Sequence, residues 1–257
     1  MTRLGLIACA FSIASGVLVL PADAQLTALT EGFEDVTTLA GAGWVITNNS
    51  SPQGDHTWNQ GIDIADGGTL GVNAESDPPN SFIQTDFQAG SLSSVAKVSD
   101  WLITPVLSLQ NGGTISFYTQ TTTSNTQFPN ELQVWESLSG SSTVNVGSAE
   151  ASPGGDFTNK LLDINPDAQN PSGTADGYPT TWTKFTLKLS GLASPTDGRI
   201  GFRYYLPNNL SDGTVVGIDT FSYTTVPEPS QSALLVLGSL ALIVMRPSAC
   251  RLLKASS

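Results

Sequence analysis

The side chains of this sequence that could carry chemistry are mainly carboxylates. There are 22 Asp and Glu residues against 10 Lys and Arg, with one His and a formal net charge of −12. A nucleophilic triad needs a base beside the nucleophile, and the one histidine, His56, lies in a Gly- and Pro-containing loop typical of a solvated side chain. A zinc site needs three or four His or Cys ligands. The composition therefore favours neither kind of centre.

Glycoside hydrolysis is the reaction that carboxylates alone could serve, because it needs one acid and a second carboxylate. With so many acids, some pair will lie at a suitable distance by chance, so no pair is singled out. The Ser-containing string 147–150 lacks the Gly-x-Ser-x-Gly pattern of a nucleophile elbow. We predict a non-catalytic protein, with a carboxylate-pair hydrolase as the alternative.

The five tryptophans are the candidates for stacking on sugar rings, since flat aromatic faces make apolar contacts with them. Trp58 lies in a polar loop and is the best candidate for ligand contact, with loop anchoring as the alternative. Trp44 and Trp101 lie in apolar strings and are expected in the core. Trp135 and Trp182 are out of phase with their inward-facing neighbours, which predicts that they face outward or reach a second layer.

The N-terminus has the three parts of a secretory signal: a basic residue, an apolar run and a small-residue cleavage site. Arg3 is the basic residue, and Ala22 and Ala24 are the small residues. We predict a signal helix over residues 1–24, removed by signal peptidase after Ala24.

The C-terminus carries an apolar run at 233–245, followed by basic residues that begin with Arg246. We predict a hydrophobic transmembrane helix here. Its 13 residues fall short of the roughly 20 of a comfortable span, which favours a span that is recognised and then cut. The basic residues after it predict a cytoplasmic C-terminus.

The segment between these ends is acidic and contains no cysteine, because Cys9 and Cys250 both lie outside it. Its formal charge is about −14, which repels phosphate backbones and excludes nucleic acid as a partner. Without a disulfide or a thiol nucleophile, its stability must come from packing, with bound metal as a further contribution.

Short stretches rich in β-branched and aromatic residues recur along this segment, separated by Gly, Pro, Asn, Asp and Ser. They predict strands within residues 29–36, 43–47, 81–87, 99–107, 113–120, 131–136, 181–189, 199–206 and 215–223. Pro105 predicts a strand end or an edge. Residues 149–178 are interpreted as a long insertion loop. The pattern predicts an all-β fold, a jelly roll or two-sheet β-sandwich, over residues 25–226.

Calcium is the metal that this fold and composition favour, because calcium takes carboxylate and carbonyl oxygens from irregular loops. The first and last strands of a jelly roll tend to pair, which would bring Glu31 or Glu34 near Asp219. Carbohydrate-binding jelly rolls commonly hold a structural calcium at this place, an argument by analogy. The alternative is that these are exposed acids flanking strands. Residues 63–68 resemble part of a calcium loop but lack the complete EF-hand pattern.

The chain end resembles a PEP-CTERM sorting signal over residues 227–257. The resemblance rests on Pro227, Glu228 and Pro229, then a Leu-rich span, then Arg246. It implies processing by an exosortase in the inner membrane of a Gram-negative bacterium that makes exopolysaccharide. The family usually ends close after a tight Arg cluster, whereas here 11 residues follow Arg246.

The segment 25–226 is similar to the choice-of-anchor J family, which is related to cleaved-adhesin and MAM-like jelly rolls. The most specific string is Ser-Asp-Trp-Leu-Ile-Thr-Pro at 99–105, and further strings stand at 31–34, 43–48, 80–83, 111–118, 131–134 and 218–221. The resemblance implies a jelly-roll sandwich used for surface attachment or carbohydrate contact, with no established enzyme activity.

Together these features predict an exported surface or extracellular-matrix protein, adhesin-like or carbohydrate-contacting. Its expected partners are signal peptidase, an exosortase, the membrane through the C-terminal segment, and exopolysaccharide or another glycan. A surface glycan hydrolase and a ligand-free structural coat protein are the alternatives.

Overall fold

The computed structural model describes residues 26–62, 71, 73–76, 78–140 and 144–225. The predicted signal peptide with its cleavage site at Ala24, the sorting segment 227–257 and the loop 63–68 lie outside these residues. None of the helical turns in these ranges has the length and apolar character of a membrane span. The helical turns there are three 3₁₀ turns, at Val36–Thr38, Phe87–Ala89 and Pro166–Ala168.

The described residues form β-strands and those short turns, as the turn-rich, β-branched sequence predicts. In chain order the strands are β1 (Ala28–Glu31), β2 (Val45–Asn48), β3 (Asn59–Gln60), β4 (Ile83–Asp86), β5 (Val98–Ile103), β6 (Leu107–Leu109), β7 (Thr114–Thr121), β8 (Leu132–Ser137), β9 (Phe157–Ile164), β10 (Thr183–Lys188), β11 (Thr196–Leu206) and β12 (Val215–Thr224).

These strands form two six-stranded antiparallel sheets, which confirms the predicted β-sandwich. The first sheet has the order β10-β7-β12-β4-β3, and β1 pairs with β12 beyond the end of β4. The second sheet has the order β2-β5-β11-β8-β9, and β6 pairs with the start of β11. The first and last strands are therefore neighbours, as predicted, with Glu31 opposite Phe221.

The core between the sheets is made by the inward faces that the alternating patterns predict. Phe117 of β7 packs edge-on against Phe202 of β11, with ring centroids 4.9 Å apart. Phe202 in turn packs against Phe221, and Trp44 closes this end of the core against Phe33 and Phe221. Each buried aromatic side chain contributes roughly 1.5–3 kcal/mol relative to leaving it exposed.

A second apolar layer covers the outer face of the second sheet. Trp101, Ile103 and Trp135 point away from the core and pack with Val146 and Phe157. The prediction that Trp135 reaches a second layer is confirmed. Trp101 is buried, as expected, but it belongs to this outer layer rather than to the main core.

The interpretation of residues 149–178 as a strand-poor loop is wrong, because β9 lies inside them and pairs with β8. β9 escaped the pattern analysis because Thr158, Asn159 and Lys160 are consecutive exposed residues, and two register shifts interrupt its ladder with β8. Such irregularities break the two-residue period from which strands are recognised. Pro105 was read correctly, since it lies in the gap between β5 and β6.

Candidate functional site

The predicted calcium residues lie where β1 meets β12. The Asp219 carboxylate is fully buried and accepts hydrogen bonds from the backbone amides of Glu75 at 2.7 Å, Ser76 at 3.4 Å and Thr220 at 2.6 Å. Burial raises the pKa of Asp219 to about 6, although these amides act in the opposite direction. In this arrangement Asp219 clamps the segment 75–76 onto the outer face of the first sheet.

Glu31 and Glu34 are close to each other at the end of β1. Glu31 Oε1 accepts from the Phe33 amide at 2.9 Å. Burial, and to a lesser degree the charge of Glu34, raises the pKa of Glu31. Within the described part of the chain, no three His, Cys, Asp or Glu side chains are grouped so that they could hold a metal ion. The predicted calcium set of Glu31, Glu34 and Asp219 remains a prediction.

Trp58 is the predicted ligand contact, and the structure places it in the main core. Its side chain is 2% exposed, and its indole N–H donates to the Asp100 carbonyl at 3.1 Å. The neighbouring Thr57 hydroxyl donates to the Asp100 carboxylate, as does Thr85 from the first sheet. A buried ring offers no face to a sugar, so the alternative interpretation, loop anchoring, describes Trp58. The burial of Trp58 cannot be predicted from its polar local sequence, because residues some 40 positions away cover the ring.

Asp100, the acid of the Ser-Asp-Trp string, is the centre of this anchor. It is fully buried between the sheets, and burial raises its pKa to about 7. The hydroxyls of Thr85 and Thr57 act in the opposite direction. The most specific string of the sequence therefore serves to hold the loop of Trp58.

His56 is half exposed, as expected for a loop histidine, but it has a partner. Its Nδ1 lies 2.8 Å from Asp86 Oδ2, at the end of β4. The other carboxylate oxygen of Asp86 accepts from the Gln88 amide at 2.8 Å. The His56 ring thus holds one side of Asp86, and the other side of that residue faces an open cleft.

This cleft, of about 560 Å³, lies at the end of the first sheet where β4 ends and β12 begins. Its rim is made by the loops 122–130 and 207–214. Two apolar side chains of the rim are open to solvent: Phe128 is 36% exposed and Leu210 is 50% exposed. Hydroxyl, amide and carboxylate groups lie between them, contributed by Ser124, Asn125, Gln88, Asp86 and Asp212.

A buried asparagine, Asn130, fixes the two rim loops to the ends of the strands. Its side-chain oxygen accepts from the Tyr204 hydroxyl at 2.8 Å and from the Thr214 amide at 2.9 Å. Its side-chain nitrogen donates to the hydroxyls of Thr121 and Thr214. Tyr204, Thr121 and Thr214 are themselves buried or half-buried, so these hydrogen bonds tie both rim loops to the strand ends.

A second buried asparagine, Asn209, holds the wall that carries Leu210. Its side-chain oxygen accepts from the Ala96 amide, and its nitrogen donates to the Ser91 carbonyl, both at 2.9 Å. On the opposite wall the Phe128 amide donates to the Asn125 carbonyl at 3.1 Å, closing a turn in which Asn125 has φ of 56°. The two apolar residues are therefore presented by constrained backbone.

The two carboxylates of the cleft differ in their surroundings. Asp86 is held by His56 and the Gln88 amide, whereas Asp212 is half-buried and receives a hydrogen bond from Ser211 at 3.2 Å. Burial raises the pKa of Asp212, against the lowering effect of that hydrogen bond. An exposed ring, an aliphatic neighbour and a set of hydroxyl, amide and carboxylate groups together suit the apolar faces and hydroxyls of a sugar.

The local sequence does not predict this cleft. The signal that could have revealed Phe128 was present, because it is a lone aromatic residue in a polar stretch, the same signal that drew attention to Trp58. The residues opposite it could not be assigned, since Asp86 and Leu210 are more than 120 positions apart.

No protein-family model matches the chain, and no curated protein matches it. Among solved structures, the K1 cleaved adhesin domain of Lys-gingipain from Porphyromonas gingivalis is similar at 23% identity and a TM-score of 0.49, over 78% of this chain and 99% of that one. The K3 cleaved adhesin domain is similar at 19% identity and a TM-score of 0.45, over 77% and 98%. A xylan-binding domain from Paenibacillus barcinonensis is similar at 13% identity and a TM-score of 0.41, over 80% and 99%.

Proposed function

We propose that this chain is a non-catalytic surface module that contacts glycans through the cleft between Phe128 and Leu210. The observation that carries the proposal is the exposed aromatic ring of Phe128 at the rim, beside groups that can exchange hydrogen bonds with hydroxyls. Aromatic rings are costly to leave in water, and a ring held beside polar groups is suited to the apolar face of a sugar. The choice-of-anchor J resemblance supports the same reading.

The test is binding of the full-length chain to an array of polysaccharides and oligosaccharides. Phe128→Ala should weaken binding about tenfold, because it removes the stacking surface. Leu138→Ala is the matched control, since Leu138 is also an exposed apolar residue, at 43%, and lies outside the cleft. If no glycan binds, the chain is better described as the ligand-free coat protein. If a glycan binds and Phe128→Ala binds it like the wild type, the cleft is not the binding surface.

A glycan hydrolase is the second candidate function, and Asp86 and Asp212 are the observation that favours it. They line the same cleft, and burial raises the pKa of Asp212, as a general acid requires. A hydrolase would release reducing ends from a bound polysaccharide, and Asp212→Asn would abolish that release while the glycan stays bound. Binding without any release by the wild type supports the non-catalytic module.

We also propose that the fold is stabilised by calcium at the junction of β1 and β12. The acids concerned are Glu31, Glu34 and Asp219. A calcium ion that binds only the folded chain would raise the melting temperature in millimolar calcium relative to chelator. The shift should be smaller in Glu31→Gln, which leaves the Asp219 clamp in place. An equal melting temperature in calcium and chelator would contradict the proposal.

The two chain ends are proposed to export and sort this module. Signal peptidase would cut after Ala24, and an exosortase would process the segment beginning at Pro227. Expression in a Gram-negative host with and without an exosortase, followed by mass spectrometry of the C-terminus, tests this. Processing that is equal in both hosts would contradict exosortase sorting.

A further inference from the structure

The basic residues of the segment 26–225 are few, and the structure describes all of them. Six of the ten Lys and Arg residues of the chain fall in this segment. None of the six is among the residues that line the cleft. They are Lys97, Lys160, Lys184, Lys188, Arg199 and Arg203.

Most of these cations are engaged elsewhere. Lys97 pairs with Glu150, and Lys160 pairs with Asp163. Lys184 lies over the ring of Tyr118. Arg199 donates to backbone carbonyls at the other end of the sandwich, and Arg203 is buried under the outer layer. Lys188 ends β10 opposite Thr114, at the other end of β7 from the cleft residue Thr122. No cation of this segment therefore lines the cleft.

The charges that do face the cleft are those of Asp86 and Asp212. His56 is the basic side chain nearest to them, and it is bound to Asp86. That pair carries no net positive charge in either protonation state of the ring. The cleft thus presents a negative potential without a compensating cation, in a segment whose net charge is itself negative.

We infer that the cleft selects uncharged glycans and rejects glycans that carry uronate, sulfate or phosphate groups. This inference rests on the proposed function and names the substrate class of the same site. Recognition of an anionic sugar normally uses Arg or Lys, which give charge-assisted hydrogen bonds. Here an anionic group would lose water and meet only carboxylates, amides and hydroxyls. Repulsion between unit charges a few ångströms apart is enough to weaken binding roughly tenfold.

The test compares polymers that share their sugar linkages and differ in carrying a carboxylate or a neutral hydroxymethyl group. Polygalacturonate and alginate are each paired with their carboxyl-reduced derivatives, which keep the sugar linkages, and binding of the full-length chain is measured by affinity electrophoresis in low salt. We expect the reduced polymer to bind at least about tenfold more tightly than its acidic parent. Raising the salt to about 1 M should narrow this ratio, because salt screens the repulsion.

Two variants locate the effect. Asp212→Asn removes one of the two cleft charges. It should lower the ratio of the affinity for the reduced polymer to that for its acidic parent by about threefold or more. Asp176→Asn makes the same charge change at an exposed position outside the cleft and should leave the ratio unchanged. An acidic parent that binds as tightly as its reduced form would overturn the selectivity while the glycan-binding proposal stands. A chain that binds neither these polymers nor any glycan of the array would overturn both.

Discussion

The outer face of the second sheet and the cleft at the strand ends of the first sheet both contain many polar side chains. They differ in how far those side chains are buried. Under the outer layer, Arg203 is fully buried and donates to Ser99 Oγ at 2.8 Å and to the Glu150 carbonyl at 2.7 Å. In the cleft, Phe128 and Leu210 remain open to water. Polar groups in the first region are covered by the segment 144–157, and polar groups in the second face solvent.

This difference separates polar residues that hold the fold from those that are free to meet a ligand. The Arg203 guanidinium stacks on Tyr205 at 4.4 Å and lies 5.5 Å from Trp101, so its remaining surface is occupied. The burial of its charge lowers the pKa of Arg203 to about 10. A buried residue whose guanidinium makes four hydrogen bonds cannot bind a ligand without loss of stability, whereas a cleft residue with exposed atoms can. Substitutions under the outer layer should therefore lower the free energy of unfolding, whereas substitutions of exposed cleft residues should mainly lower ligand affinity.

Arg203→Met should produce the largest loss of stability, about 3–5 kcal/mol. It removes the hydrogen-bond donor to the buried side chains of Ser99 and Gln133 and to the part-buried carbonyls of Glu150 and Ala151. Chemical denaturation measures the change. Lys97→Met is the matched control, because Lys97 makes an exposed ion pair with Glu150 and should cost less than about 1 kcal/mol. Equal costs for the two variants would contradict the distinction between the regions.

Glu131→Gln should change how stability depends on pH. Glu131 is buried beside Asp163, and burial, followed by the charge of Asp163, raises the pKa of Glu131 well above its ordinary range. The folded state therefore holds a proton that the unfolded state has lost, so this group's contribution to stability is complete at low pH and is lost as the pH rises toward 9.

The Gln side chain imitates the protonated acid, because it can accept from Gln133 and donate toward the Asp163 oxygen that has no partner. We expect the variant to be more stable than the wild type at pH 9, on the order of 2 kcal/mol, and close to it at pH 5. Asp176→Asn, at an exposed position, should have the same stability relative to the wild type at pH 5 and at pH 9. Parallel curves for wild type and Glu131→Gln would refute the assignment.

Asn209→Ala should have an intermediate effect, because Asn209 is buried but supports the cleft. Its loss leaves the Ala96 amide and the Ser91 carbonyl without their partner and should cost about 1–3 kcal/mol. It should also weaken glycan binding, since the wall that carries Leu210 loses its tether. Thermal unfolding and array binding measured on the same sample test the two effects. A variant that loses stability and keeps full binding would show that the wall does not depend on Asn209.

Phe128→Ala should have the smallest effect on stability, within about 0.5 kcal/mol, although it removes an aromatic ring. The ring is 36% exposed and is absent from the apolar clusters of the sandwich. Thermal unfolding checks this expectation. A loss of several kcal/mol would mean that the ring holds the rim loop in place, and the contrast between the two regions would fail at this residue.

The local pattern was sufficient to predict most of the strands. In β7 and β11 the alternation of Ile115 and Phe117, and of Ile200 and Phe202, is regular, so the inward face could be read directly. The pairing of β1 with β12 followed from the expected jelly roll. β9 could not be read, because exposed residues and register shifts interrupt its period.

The candidate site could not be predicted from the local sequence, for a different reason. Trp58 and Phe128 have similar polar surroundings in sequence, yet Trp58 is 2% exposed and Phe128 is 36% exposed. What covers a side chain is decided by residues far away in the chain, such as Asp100 for Trp58. No property of the loops themselves distinguishes the anchor from the open ring.

The sequence by itself determined that the central segment is an acidic, disulfide-free, all-β domain with few cations, because charge, cysteine content and two-residue periodicity are local properties. Only the tertiary structure decided which polar residues are buried supports and which face the cleft. The cleft is assembled from the ends of β4, β7 and β12 and the loops beside them. These segments are brought together by the sheet order, which depends on packing across the whole sandwich.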